Sequence, residues 1–178
     1  MRLETPWRTK PDYQGGFLLD GGVHFVAGTR LVLGEDSKPT AVSAFTTLLQ
    51  EHLPPVDTVN AIWKTKSGIS GTYSNSFGTT FSGSEYTFAC EKGTVTITGS
   101  KVSVTQGEQK LDKTSEKEFP DDGNGVKQEV AAWAQALLDG APNPEQSPEQ
   151  ALADLEILEK MLKSGEAQGK VESLQLQI

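Results

Sequence analysis

The hydrophobic period changes twice along the chain, and that switch limits the fold more than any other feature. Between residues 20 and 33, Val23, Val26, Ala27, Arg30, Leu31 and Leu33 recur at spacings near 3.6, which predicts a helix that Gly34 stops. From Asp57 to Glu118 the period drops to two. "TVNAIWKTK" alternates Val59, Ala61 and Trp63, and "SEYTFACE" alternates Tyr86, Phe88 and Cys90. "GTVTITGSKVSVTQG" reads as a hairpin turning at Gly99-Ser100, with Val95 and Ile97 facing Val102 and Val104. After Pro120 the period of 3.6 returns. Val126, Val130, Trp133, Ala134, Leu137 and Leu138 predict a helix over 125–139 closed by Gly140. "SPEQ" opens another over 147–163, with Ser147 as N-cap, Pro148 in the first turn and Gln150 completing a capping box. Its buried face is expected at Leu152, Leu155, Leu158, Met161 and Leu162. "SAFTTLLQEHL" (43–53) fits a short helix or a strand leading into one, ended by Pro54 and Pro55. The Ser/Thr/Gly-rich "GTYSNSFGTTFSGS" fits a strand with a wide loop, and the tail "VESLQLQI" fits a short edge strand.

A helix, a block of strands, then helices defines an α+β class: a mostly antiparallel open sheet of five or six strands, helices packed on one face, in one domain over 1–178. With 178 residues the chain is long enough for a real core. The net charge of −8 argues against nucleic-acid partners and anionic membrane surfaces. No apolar run is expected to reach membrane-spanning length, and "MRLETPWRTKP" lacks the apolar core of a signal peptide. The single cysteine, Cys90, excludes an internal disulfide and a cysteine-based metal site; a reducing, cytoplasmic setting is the expectation.

Chemistry concentrates in "GGFLLDGGVH" (15–24), where Asp20 and His24 stand four apart. On a helix that spacing puts carboxylate and imidazole on one face, one turn apart. A carboxylate there can hold an imidazole that moves protons near neutral pH. The plainer alternative makes Asp20 a helix cap and His24 a structural donor. The neighbouring glycines, Gly16 among them, leave room for close approach to the backbone. Trp7, Arg8, Tyr13, Trp63, Lys64, Tyr73 and Tyr86 are the candidate walls of a substrate pocket. Each also has a bland reading, as surface arm, solvated lysine or core aromatic. No cluster has metal-ligand spacing, and Gly15-Gly16 and Gly21-Gly22 do not form G-x-G-x-x-G after a strand, so no cofactor is expected.

"WRTKPDYQGGFLLDGGVHFVAGTRLVLG" (7–34) resembles the start of the C-terminal domain of the Gfo/Idh/MocA oxidoreductases, the family of glucose-fructose oxidoreductase and inositol dehydrogenase. That family carries G-G-x-x-x-D-x-G-x-H, matched here from Gly15 to His24. The wording "YQGGFLLDGGVHF" is most similar to the fungal branch, and residues 126–165 resemble the family's closing helices. The resemblance implies an N-terminal Rossmann domain followed by this α+β half, whose sheet often forms a dimer. It also implies that Asp20 and His24 sit at the substrate, beside a lysine from an E-K-P motif at the end of the Rossmann half. The chain has neither that half nor an E-K-P, and Ala27 stands where many members place a further Asp.

Two functions follow. One is a stand-alone, cofactor-independent enzyme doing isomerisation, dehydration, cyclisation or pericyclic closure, set in fungal secondary metabolism. Its own initiator Met and closing helices favour that reading. The other is a fragment or non-catalytic subunit of an NAD(P)-dependent oxidoreductase. In both, the partners are a small-molecule substrate and a second copy joined through the sheet face Thr94, Thr96, Thr98, Ser103 and Thr105. Without a glycine-rich turn to cradle a pyrophosphate, titration calorimetry of this chain with NADH or NADPH is expected to show no binding heat.

Overall fold

The computed structural model describes residues 5–11, 15–107, 113–120 and 125–178. They form two compact units, one of residues 1–79 and 142–178, the other of 80–141. The sequence periodicity suggests one sheet; the strands instead form two four-stranded antiparallel sheets, one in each unit. The break falls after Phe77, where "GTTFSGS" makes no strand before Glu85.

The first unit contains α1 (Pro6–Thr9), α2 (Gly16–Leu33), β1 (Pro39–Thr47), β2 (Thr58–Thr65) and β3 (Ser70–Ser76). The chain re-enters it with α4 (Pro148–Glu166) and β8 (Glu172–Ser173), the expected edge strand. The sheet order is β3-β2-β1-β8. Along β2, Val59, Ala61 and Trp63 point inward while Asn60, Ile62 and Lys64 point out. Helix α4 packs across the inward face of β1 and β2, and α2 packs on α4. Leu18, Val26, Val42, Val59, Trp63, Ile157, Leu158 and Met161 are the centre of the core. Each such side chain contributes about 1.5–3 kcal/mol of burial free energy.

The segment 43–53 resolves in favour of a strand. Val42 and Ala44 of β1 are buried, and the apolar Leu48 and Leu49 that suggested a helix lie exposed in the following loop. That loop is shaped by Asp57, which is fully buried. Its carboxylate accepts from the backbone N–H of Leu49 (3.1 Å) and Gln50 (2.7 Å) and from the Thr58 hydroxyl (2.8 Å). A charge with that many donors needs no cation beside it.

Helix α4 buries Leu158, Met161 and Leu162 of its expected apolar face but not the other two leucines. Leu152 and Leu155 are exposed, while Asp154 and Glu156 are buried. Asp154 pairs with Arg30 of α2 at 2.6 Å, with side chains only 11% and 9% exposed. Arg30 also donates to Gln150 Oε1 and Gln177 Oε1, both at 2.9 Å. Ser147 caps α4 by accepting from the Gln150 N–H at 3.2 Å, but the Gln150 side chain serves Arg30 rather than closing a capping box.

Among the described residues α2 is long and apolar enough to cross a membrane by length and composition, contrary to the expectation that no segment is. Its apolar character has another use in this fold, since Leu18, Gly22 and Val26 pack into the core.

The second unit holds β4 (Glu85–Cys90), β5 (Gly93–Thr98), β6 (Lys101–Gln106), β7 (Lys113–Glu118) and α3 (Val126–Asp139). The hairpin at Gly99-Ser100 has the expected register, Val95 opposite Val104 and Ile97 opposite Val102. These four residues are half-buried, and no residue of α3 is buried. Trp133 is 55% exposed and Leu138 82%, so the apolar stripe of α3 does not give the sheet the cover the sequence predicts. On the opposite face, Lys101 pairs with Glu116 at 2.7 Å, which holds that carboxyl below the usual range.

Removing one partner of a buried ion pair leaves the other charge stranded, at a cost of about 3–5 kcal/mol. Asp154→Ala is expected to lower unfolding stability by about that amount in urea titrations, and Arg30→Met with Asp154→Leu by much less.

Candidate active site

The glycine-rich motif opens α2, and its glycines are already occupied by the protein's own atoms. Gly16 has φ +71°, and a Cβ there would run into the Pro54 carbonyl. A Cβ on Gly21 would meet the Phe77 ring, which packs edge-on against Phe17 at 4.8 Å. A Cβ on Gly22 would come within 3.3 Å of Leu158 Cδ2. The glycines therefore let α2 approach the Pro54-Pro55 loop, the end of β3 and α4. The room that a Cβ would need at Gly16, Gly21 and Gly22 is thus taken by protein atoms.

Asp20 is not a cap. The helix starts four residues earlier than predicted, with Gly15 at the N-cap, so Asp20 lies in the second turn. Its partner is Arg8, whose Nη2 and Nε both donate to Oδ2, at 2.6 and 2.8 Å. The Arg8 guanidinium lies 4.8 Å from the centre of the Trp7 ring and 5.9 Å from that of Phe17, cation–π distances that fix its plane. No described residue donates to Asp20 Oδ1. His24 follows one turn later on the same face; it is exposed and makes no hydrogen bond among the described residues. Arg8 therefore serves Asp20 instead of standing apart as a pocket wall, and Asp20 is held by a cation rather than by the imidazole.

The other expected wall residues scatter. Trp63 is buried in the core, its indole Nε1 donating to Met161 Sδ at 3.3 Å and its ring stacked 5.0 Å from Tyr73. Lys64 points to solvent on the opposite sheet face. The Tyr73 hydroxyl accepts from Asn75 Nδ2 at 3.4 Å. Tyr86 belongs to the second unit, where burial pushes its hydroxyl above the ordinary tyrosine range, unsuited to giving up a proton near neutrality. Tyr13 lies outside the described residues.

Two concavities flank α2. One, of about 500 Å³, is lined by Trp7, Gly16, Leu19, Leu152, Leu155 and Leu176 among others. The other, of about 520 Å³, starts one turn beyond His24 at Ala27 and Gly28 and reaches Arg30, Leu31 and Lys38. Asp20 and His24 line neither. The Arg30–Asp154 cluster was missed as a unit, although an arginine four residues after buried Val26 is a signal that a buried carboxylate waits opposite. Among the described residues no group of three or more His, Cys, Asp and Glu could hold a metal ion.

Antiparallel sheets with helices, and Asp20 and His24 one turn apart on the first long helix, define an α+β domain of a known type. Residues 2–172 match the family described as "Oxidoreductase family, C-terminal alpha/beta domain", that of Gfo, Idh and MocA, and the chain belongs to it. It is 40% identical to dehydrogenase FPY6 of Fusarium mangiferae over 172 residues, 95% of this chain and 49% of that protein. An oxidoreductase from Thermotoga maritima superposes with a TM-score of 0.78 at 30% identity, covering 96% of this chain and 48% of that one. Levoglucosan dehydrogenase in complex with NADH and L-sorbose shares the fold at a TM-score of 0.79 and 13% identity, over 95% of this chain and 53% of its own. The chain thus spans about half the length of the FPY6 dehydrogenase and of these solved structures.

A methyl group at position 21 must displace the Phe77 ring, and overpacking of this kind costs about 1–3 kcal/mol. The better helix propensity of alanine returns at most about 1 kcal/mol. Gly21→Ala is therefore expected to lower the melting temperature, and Phe77→Leu in the same chain to recover most of the loss.

Proposed function

We propose that this chain is the substrate-side half of a dehydrogenase-type oxidoreductase. Its own part is to hold a hydroxyl-bearing small molecule at Asp20 and to exchange that molecule's proton through His24. The observation that carries the reading is the one-sided clamp on Asp20. Arg8 takes Oδ2 twice, which stabilises the carboxylate as an anion and leaves Oδ1 to accept from a ligand hydroxyl. An exposed imidazole one turn away is within range of the same hydroxyl, the arrangement general acid–base transfer requires. Membership of the family and the similarity to a dehydrogenase support the redox setting.

The residues present do not fit a nicotinamide dinucleotide. Every described strand pairing is antiparallel, and α2 is preceded by α1 rather than by a strand, so its N-terminus is not a pyrophosphate cradle. Hydride chemistry, in this reading, belongs to the half that the chain does not span. The alternative, a stand-alone non-redox isomerase, lyase or cyclase, draws support from one fact: proton transfer needs only Asp20 and His24, both present here.

Native mass spectrometry after incubation with a metabolite extract separates these readings. The wild-type chain is expected to retain a hydroxylated small molecule that Asp20→Ala does not. Equal retention by Asp20→Ala, or none by the wild type, would overturn the proposal. Release of a molecule isomeric with the one captured, or lighter by water, would select the stand-alone enzyme. Once a substrate is in hand, His24→Ala is expected to lower turnover roughly 10²- to 10⁴-fold, and Asp20→Asn by less.

We also infer a homodimer joined through the Thr/Ser face of the second unit's sheet. There Thr87 meets Thr96 at 3.4 Å, Thr105 meets Thr114 at 3.2 Å and Ser103 meets Glu116 at 3.2 Å. Such a flat polar face can be matched by its own copy in an isologous contact. Light scattering at micromolar concentration is expected to give twice the chain mass, and Thr96→Lys with Thr105→Lys to give the monomer.

A further inference from the structure

We propose that the cavity at the C-terminal end of α2 is a second small-molecule site, shaped for an organic cation: a primary ammonium on a short apolar stem. The cavity holds about 520 Å³, the size of an ordinary small-ligand pocket. It lies within the first unit, between the last turns of α2, the start of β1 and the first turns of α4. Asp20 and His24 do not line it, so the proposal stands apart from the function assigned to them.

The lining charges select the ligand. Glu35, Glu145 and Asp154 face Arg30 and Lys38 around the cavity; three acids against two bases leave a net charge of −1. Lys38 is taken by Glu35 at 3.1 Å. Arg30 is spent as well, on Asp154 Oδ1, on Gln177 Oε1 and on both the backbone and the side-chain oxygen of Gln150. Neither cation is left to draw an anion. On the acidic side two acceptors stay open. Asp154 is only 8% exposed, and no described residue donates to its Oδ2. An oxygen so nearly buried calls for a donor from whatever fills the cavity. The Glu145 carboxylate, in the turn Pro144–Gln146, meets no described donor either. Helix α2 ends here at Leu33, and its last carbonyls add negative potential. The uncommitted polar groups are therefore acceptors, and an ammonium brings three donors and a positive charge to them. Ala27, Leu31 and Ile178 supply the apolar part of the wall. Leu31 is 64% exposed and Ile178 48%, area that a short alkyl stem covers. A metal ion fits worse, since among the described residues no group of three or more His, Cys, Asp and Glu could hold one. A neutral alcohol reaches Asp154 Oδ2 but gains nothing from the net charge or the helix end.

The test is a methyl NMR titration of the full chain near neutral pH with butylamine, n-butanol and butyrate, three probes that share a stem and differ in the head group. Butylamine, as its ammonium ion, is expected to shift the methyl signals of Ala27, Leu31 and Ile178 saturably, and the other two to leave them in place. Glu145→Lys, an exposed substitution outside the core, is expected to weaken butylamine binding about tenfold or more, and Asp20→Ala to leave it unchanged. No saturable shift with butylamine, an equal response to n-butanol, or full affinity in Glu145→Lys overturns the proposal. Loss of butylamine binding in Asp20→Ala merges the two sites and overturns the claim of a second one. The Asp20 and His24 reading is untouched by failure at this cavity, because its own test is retention of a hydroxylated molecule.

Discussion

The contact between α2 and α4 is the constraint on which the rest of the first unit depends. At its middle, Gly22 offers no side chain and Leu158 fills the space. At its far end, Arg30 and Asp154 close a buried ion pair. The first sets how near the helices come, and the second sets their register along the axis, because a buried charge displaced from its partner is costly. Met161 and Ile157 then reach the sheet, where Met161 also takes the Trp63 indole N–H. With the two helices fixed, Phe77 meets Gly21 and the Pro54-Pro55 loop meets Gly16, so the motif glycines are read out one after another by packing.

Element types were legible in the sequence because period and punctuation agreed. The hairpin register, the Ser147 cap, the Gly34 and Gly140 stops and the short edge strand all follow from local rules that tertiary structure did not override. Partition into sheets was not legible. Whether β3 continues into β4 depends on a Ser/Thr/Gly stretch that can pair or loop with little difference in local preference. The strand at 39–47 was ambiguous because Leu48 and Leu49 extended its apolar pattern, while the buried Asp57 that takes the Leu49 and Gln50 N–H groups in the following loop is far weaker as a sequence signal.

The site shows the same division. The spacing of Asp20 and His24 fixed their common helix face without any tertiary information. Their partners could not be read that way. Arg8 lies twelve residues before Asp20 and in α1 rather than α2, so no helical spacing links the two. The aromatic candidates failed for a related reason. Tyr73 of β3 stands opposite Ala61 of β2 and so diagonal to Trp63, on the inward side that alternation already assigned to Trp63. A tryptophan in step with Val59 and Ala61 is core before it is anything else.

Helix α4 shows buried polar groups setting the borders of an apolar stripe. Counting leucines selects Leu152 and Leu155 for burial. The face turned to the interior carries Ala153, Ile157, Leu158, Met161 and Leu162, and Asp154 and Glu156 are buried at its two borders, where one meets Arg30 and the other meets two backbone N–H groups and an amide of the C-terminal segment. Those donors satisfy the carboxylates, so burial is tolerated. The consequence falls on the opposite side, where Leu152 and Leu155, each about half exposed, forgo about half of the ~1.5–3 kcal/mol that full burial of a leucine supplies. Within this chain nothing recovers that free energy among the described residues. The orientation that leaves Leu152 and Leu155 open is the one that buries Ile157, Leu158 and Met161 while both carboxylates keep their donors.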